Sequence, residues 1–202
     1  VFYYRFPHES RGHIFAITEK IFPVIVGDGQ RTVGELIAND PRARHVADTY
    51  LKRFAARRDE VLAAGEHLKL VEAGNHAQGC IFRDGMRLGS TELTARIDEI
   101  SRKLTGFFIG RYDIRFENEA DLCAGKNFQI IELNGAASEA TSIYDARNSL
   151  WTAYRTLFQQ WELVFAIGAA NRNRGIATTK LSLVWREWRN YTALSATYPA
   201  AD

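Results

Sequence analysis

Two strand-like segments hold the residues best suited to chemistry: Gly110-Arg111-Tyr112-Asp113-Ile114-Arg115-Phe116 and Phe128-Gln129-Ile130-Ile131-Glu132-Leu133-Asn134. Side chains two apart on a strand share a face. Arg111, Asp113 and Arg115 therefore line one face of the first segment, opposite Tyr112, Ile114 and Phe116. In the second, Ile130, Glu132 and Asn134 share a face, opposite Gln129, Ile131 and Leu133. An antiparallel hairpin that sets Asp113 against Glu132 centres its connection in the polar stretch 117–126. It also places Arg111 across from Asn134, Ile114 against Ile131 and Tyr112 against Leu133. A slip of one residue would turn charges onto the apolar face, so the pattern itself fixes the register.

Two facing carboxylates destabilise a strand pair unless a cation lies between them. Mg²⁺ suits the position, as a hard cation that takes carboxylate oxygens together with substrate phosphates; Mn²⁺ is the alternative. Asn134 would add a carbonyl oxygen. Arg111 and Arg115 are the candidate catalytic groups, because a guanidinium fork matches a transferred phosphoryl or acyl-phosphate. The same spacing also describes a solvated ladder of ion pairs, with Arg111 and Arg115 flanking Asp113. Spacing alone leaves both readings open.

The elements that must position these residues read as follows. Residues 1–6 and 12–20 are rich in aromatic and β-branched types around a turn, Pro7-His8-Glu9-Ser10-Arg11, and form a predicted hairpin. Extended residues 22–26 run into the turn Gly27-Asp28-Gly29. Thr32 and Glu35 make a capping box for a short helix ending near Asn39, and Pro41 opens a second helix over 41–58 with a solvated basic surface. A short strand at 67–71 leads to the polar loop 74–79. Ser90 caps a helix over 91–104, strands follow at 107–116 and 128–133, and helices over 150–170 and 180–191 finish the chain. A strand-rich centre followed by helices predicts an α+β fold, an antiparallel sheet packed with helices and a C-terminal helical pair. The expected division is 1–148 for the sheet-bearing region and 149–202 for helices packed on it. Trp151, Tyr154, Phe158, Trp161 and Phe165 recur at three- and four-residue steps, a stripe expected to be core or subunit contact. Trp185, Trp188 and Tyr191 are expected to pack on the preceding helix.

The bulk composition excludes several classes. With 26 basic and 24 acidic residues the chain has a net charge of only +2, unlike the concentrated positive surface of a nucleic-acid binder. Cys80 and Cys123 cannot build a secreted disulfide framework and lie in no metal-type pair, which fits reduced thiols in the cytoplasm. No apolar run reaches the length of about 20 residues that spans a bilayer. The five histidines show no metal spacing along a helix. The chain opens at Val1, without methionine and inside a strand pattern, and reads as a piece of a longer protein.

The order Arg111-Tyr112-Asp113 followed by Ile131-Glu132-Leu133-Asn134-Gly135 resembles the metal-binding end of ATP-grasp carboxylate–amine ligases, D-alanine–D-alanine ligases among them. Residues 22–37 are similar to the corresponding stretch of cyanophycin synthetases, with a strand, the Gly27-Asp28-Gly29 turn and a short helix. The likeness runs from about residue 2 to residue 144. It implies an ATP-grasp C-terminal region, with Asp113, Glu132 and Asn134 as Mg²⁺ ligands and Arg111 facing the acyl-phosphate. It also implies that Asn75, at the position where glutamate-ligase-like members carry an asparagine, lies near the nucleotide phosphates, with His76 beside it and Lys20 as a basic residue close by. The implied cofactors are ATP and Mg²⁺, the implied substrates a small carboxylate and an amine, and a homo-oligomer is compatible. Two features depart from the family: Gly135-Ala136-Ala137-Ser138 stands where a Pro-Gly often follows the asparagine, and no Gly-rich phosphate loop precedes these segments. A non-catalytic domain of the same fold and a structural α+β module with a salt-bridged sheet face are the rival readings.

Overall fold

A computed structural model describes residues 1–72, 74 and 78–198. Its centre is a four-stranded antiparallel sheet in the order β2-β1-β7-β8, built from β1 (Phe2–Tyr4), β2 (His13–Ala16), β7 (Ile109–Phe116) and β8 (Phe128–Asn134). Two small antiparallel pairs flank it: β3 (Thr18–Ile21) with β6 (Ile81–Asp84), and β4 (Val24–Val26) with β5 (His67–Lys69). The helices are α1 (Val33–Asn39), α2 (Ala47–Arg53), α3 (Thr91–Arg102), α4 (Glu119–Cys123), α5 (Leu150–Asn173) and α6 (Leu181–Ser195). The class is α+β, as the order of elements predicts.

Strand alternation sorts the core into layers. Tyr3, Tyr112 and Ile114 point to the side covered by α3, whose Leu93, Ile97 and Ile100 recur at helical spacing. Polar bonds fix this layer: the Tyr3 hydroxyl donates to Asp98 at 2.7 Å, and the Tyr112 and Ser101 hydroxyls meet at 2.7 Å. Ser101 already donates to the Ile97 carbonyl, which leaves Tyr112 as the donor to it. Phe2, Ala16 and Ile109 face the other way, against Ala140 and the Leu163, Val164 and Ile167 side of α5. A third cluster joins α1, α2, β4 and β6 through Ile25, Ile37, Tyr50, Leu62 and Phe82.

Local chemistry accounts for the element ends. Thr32 and Glu35 form the expected capping box, and Ser90 and Ser149 cap α3 and α5. The expected continuous helix over 41–58 is instead split into a 3-10 turn, α2 and a second 3-10 turn. The Asp40 carboxylate accepts from the backbone N–H groups of Arg42 and Ala43, fixing a turn where a regular helix would start. Its arginines are less solvated than expected: Arg42 donates to the Gly79 and Cys80 carbonyls and Arg53 to that of Leu70. Strand β6 and the short α4 have no counterpart in the sequence reading. At the end of α4, Gly125 has φ +68° and its α-carbon lies so close to the Glu92 carbonyl that a β-carbon would reach 2.8 Å.

Three further expectations are corrected. Strands β7 and β8 pair Arg111 with Asn134, Tyr112 with Leu133 and Asp113 with Glu132, as predicted, but Ile114 then pairs with Ile130. Ile131 is an extra residue in β8, a β-bulge that shifts the remaining register by one. Ile130 and Phe128 consequently serve the α3 side and not the Glu132 side. The aromatic stripe of α5 is not core either: Trp151, Phe158 and Phe165 are 70–77% exposed. The helix buries its opposite side, where Gln160 and Ile167 lie. Apolar residues occur on both sides of α5, so periodicity alone picks the wrong one. No residue of α6 is buried, which also removes the expected packing of Trp185, Trp188 and Tyr191 on α5.

Candidate functional site

The site lies on the sheet face that carries Arg111 and Asp113, beyond the α5 packing. Asp113 is about five-sixths buried and accepts from the Lys20 ammonium at 2.7 Å through one oxygen and from Arg111 Nε at 3.1 Å through the other. Burial pushes its carboxyl pKa up, but the Lys20 bond and charge and then Arg111 together outweigh that and hold it below the usual carboxylate range. Lys20 comes from β3, so this one carboxylate ties the β3–β6 pair to the central sheet. Gly74 lies so close that a β-carbon there would meet Lys20 Cδ at 2.6 Å and Nζ at 3.3 Å.

Glu132 sits across from Asp113 and is exposed. Asn134, across from Arg111, is partly buried, and its Nδ2 has no hydrogen-bond partner among the described residues. The fold therefore brings together Lys20, Arg111, Asp113, Glu132 and Asn134. Arg115 is exposed and reaches the Glu72 carbonyl at 3.5 Å, away from Asp113. Asn75 and His76 lie outside the described residues. Among those described, no three His, Cys, Asp or Glu side chains gather as a metal site; the expected ligand set contains two carboxylates and an amide.

A polar scaffold behind the site has little signature in the sequence. The segment after β8 is fixed by Gln160, fully buried on α5, which donates to the Ser138 carbonyl at 2.9 Å and accepts from the Ala140 N–H at 2.8 Å. Arg111 donates to the Glu139 carbonyl of the same segment at 3.2 Å. Asp145, nearly inaccessible, accepts from Arg83 at 2.9 Å, from the Asp84 N–H at 2.9 Å and from Arg147. The Arg147 guanidinium foremost, aided by these other donors and against the cost of desolvation, holds its carboxyl far below the usual range. Thr141 and Thr18 hydroxyls meet at 3.1 Å. These residues form a roof joining β3, β6 and β7. Asp145-x-Arg147 is a visible local pair, but nothing in the sequence ties it to Arg83.

No protein-family model matches the chain, and no curated protein matches it. Among solved structures it is similar to a bifunctional glutathione synthetase from Pasteurella multocida, with a TM-score of 0.45 and 15% identity over 80% of this chain and 24% of that one. The chain thus spans about a quarter of the length of that protein.

Proposed function

We propose that this chain is the metal- and phosphate-handling part of an ATP-dependent carboxylate–amine ligase of the ATP-grasp type. The observation that carries the reading is the juxtaposition of Asp113 with Glu132 and of Arg111 with Asn134, beside Lys20. Hard oxygen donors from adjacent strands fit Mg²⁺, and Asn134 Nδ2, without a partner among the described residues, is available to donate to a bound oxygen. Asp113, Glu132 and Asn134 would hold the metal, which when bound would neutralise phosphate charge. Lys20 and Arg111 are cations gathered at the site by Asp113, and on metal binding to that carboxylate they would turn to face phosphate oxygens. In the complete enzyme the carboxylate substrate would take the γ-phosphoryl group of ATP with release of ADP, and the amine would then displace phosphate, losing a proton as the amide forms.

A second reading has its own support: Lys20 and Arg111 already satisfy Asp113, as in a purely structural ion cluster. The experiment that separates them is Glu132→Gln in the complete protein. The ligase reading expects loss of Mg²⁺-dependent, carboxylate-dependent ADP release with an unchanged circular dichroism spectrum. Turnover equal to that of the unaltered enzyme would refute the metal assignment.

A further inference from the structure

We propose that the outward face of α5 is the interface of a two-fold dimer of this chain, in which two α5 helices pack antiparallel. Trp151, Tyr154, Phe158, Trp161 and Phe165 follow the alternating three- and four-residue steps of a helix–helix seam. They lie opposite the buried Gln160, Leu163 and Ile167 side and are 43–77% exposed.

The seam is self-complementary. An antiparallel pairing that sets Phe158 against Trp161 of the second copy also sets Tyr154 against the second copy's Phe165. It places Trp151 over the second copy's Gly168, so the bulkiest side chain meets the helix's open spot: nothing but the tip of Arg172, at 3.7 Å, lies near a β-carbon position there. The same register brings Arg155 beside Glu162 of the second copy, twice by symmetry. Both residues are exposed, and neither has an ion-pair partner among the described residues. The five aromatic side chains expose on the order of 600 Å² per copy, and Leu150 adds to this, approaching the roughly 800 Å² per partner of a stable interface. Arg155 and Glu162 are the only charges between residues 150 and 171. This balance is unlike the basic polar face of a helix that lies on anionic lipid.

The test is sedimentation of the chain from about 1 to about 100 µM. A dimer is expected, reduced to monomer by Phe158→Glu with no change in circular dichroism. Arg155→Glu, which opposes like charges twice, should weaken association about tenfold, and adding Glu162→Arg to it should restore the dimer. A monomer at every concentration overturns the proposal. So does a dimer insensitive to Phe158→Glu, or one lost only on Trp188→Glu, which would assign the interface to α6. Binding of the unaltered chain to phosphatidylserine vesicles with loss of the dimer would likewise overturn it, since lipid would then be the occupant.

Discussion

Strands β7 and β8 are neighbours of similar length, yet they are fixed in opposite ways. Along β7, Ile109, Gly110 and Tyr112 are buried and Asp113 is held by two cations; along β8 no residue is fully buried, and Ile131 and Leu133 lie open. A strand between two neighbours gains packing on both faces and hydrogen bonds on both edges, whereas an edge strand keeps one row of backbone groups unpaired. The candidate site straddles this difference. Its Asp113 half is rigidly held, and its Glu132 half is free to adapt to whatever it binds.

The largest expected contrast is in stability. Tyr112→Ala removes a core aromatic together with its bond to Ser101 and should cost about 3–5 kcal/mol in urea unfolding, while Leu133→Ala directly across from it should cost under about 1 kcal/mol. Equal costs would show that β8 is covered in solution. Next comes the ion cluster. Asp113→Ala leaves Lys20 and Arg111 facing each other without their counter-ion and should cost about 1–3 kcal/mol, moderated by the partial exposure of both cations. A neutral effect would mean that the cluster contributes orientation only.

A smaller effect follows from titration. Asp113 and Asp145 both have folded pKa values below their unfolded ones. Their stabilisation is therefore complete above the ordinary carboxylate range near pH 4 and is lost as pH falls through the depressed folded values. Urea midpoints should be flat from about pH 7 to about pH 5 and drop below about pH 4, with a shallower drop in Asp113→Asn. The smallest stability effect belongs to Glu132→Gln, within about 0.5 kcal/mol of the unaltered chain, even though the same change is expected to abolish turnover of the complete enzyme. A large loss of stability instead would make Glu132 part of the ion cluster.

Local signals in the sequence were sound guides where they act over a few residues. The capping box at Thr32, the Ser90 cap and the hairpin register at Asp113–Glu132 all depend on neighbours in sequence or on one strand pair. What could not be read there depends on distant partners. Lys20 was singled out by resemblance alone, and its bond to Asp113 joins residues 93 apart in sequence. Gln160 looks like any polar residue on an aromatic helix until the Ser138–Ala140 segment folds onto it. The pattern of α5 leaves core and subunit contact both open, because an aromatic stripe looks the same whether it meets the chain's own core or another surface. The bulge at Ile131 escapes for a similar reason: both registers keep apolar residues on the α3 side, and only the packing of Phe128 there decides between them.

That single extra residue couples two tasks that ordinary alternation would set against each other. From Asn134 back to Glu132 the strand keeps step with the ion cluster; from Ile130 back to Phe128 it keeps step with the helix layer. If all seven residues paired in one unbroken ladder, with Ile131 taking a place in it, the strand would have to choose. Either Glu132 and Asn134 stay opposite Asp113 and Arg111 while the start of β8 turns its apolar side chains out to water, or that packing survives and the carboxylate swings to the wrong side of the sheet. The kink works as a phase shifter in the strand, and its loss would be felt at one end or the other, but not at both.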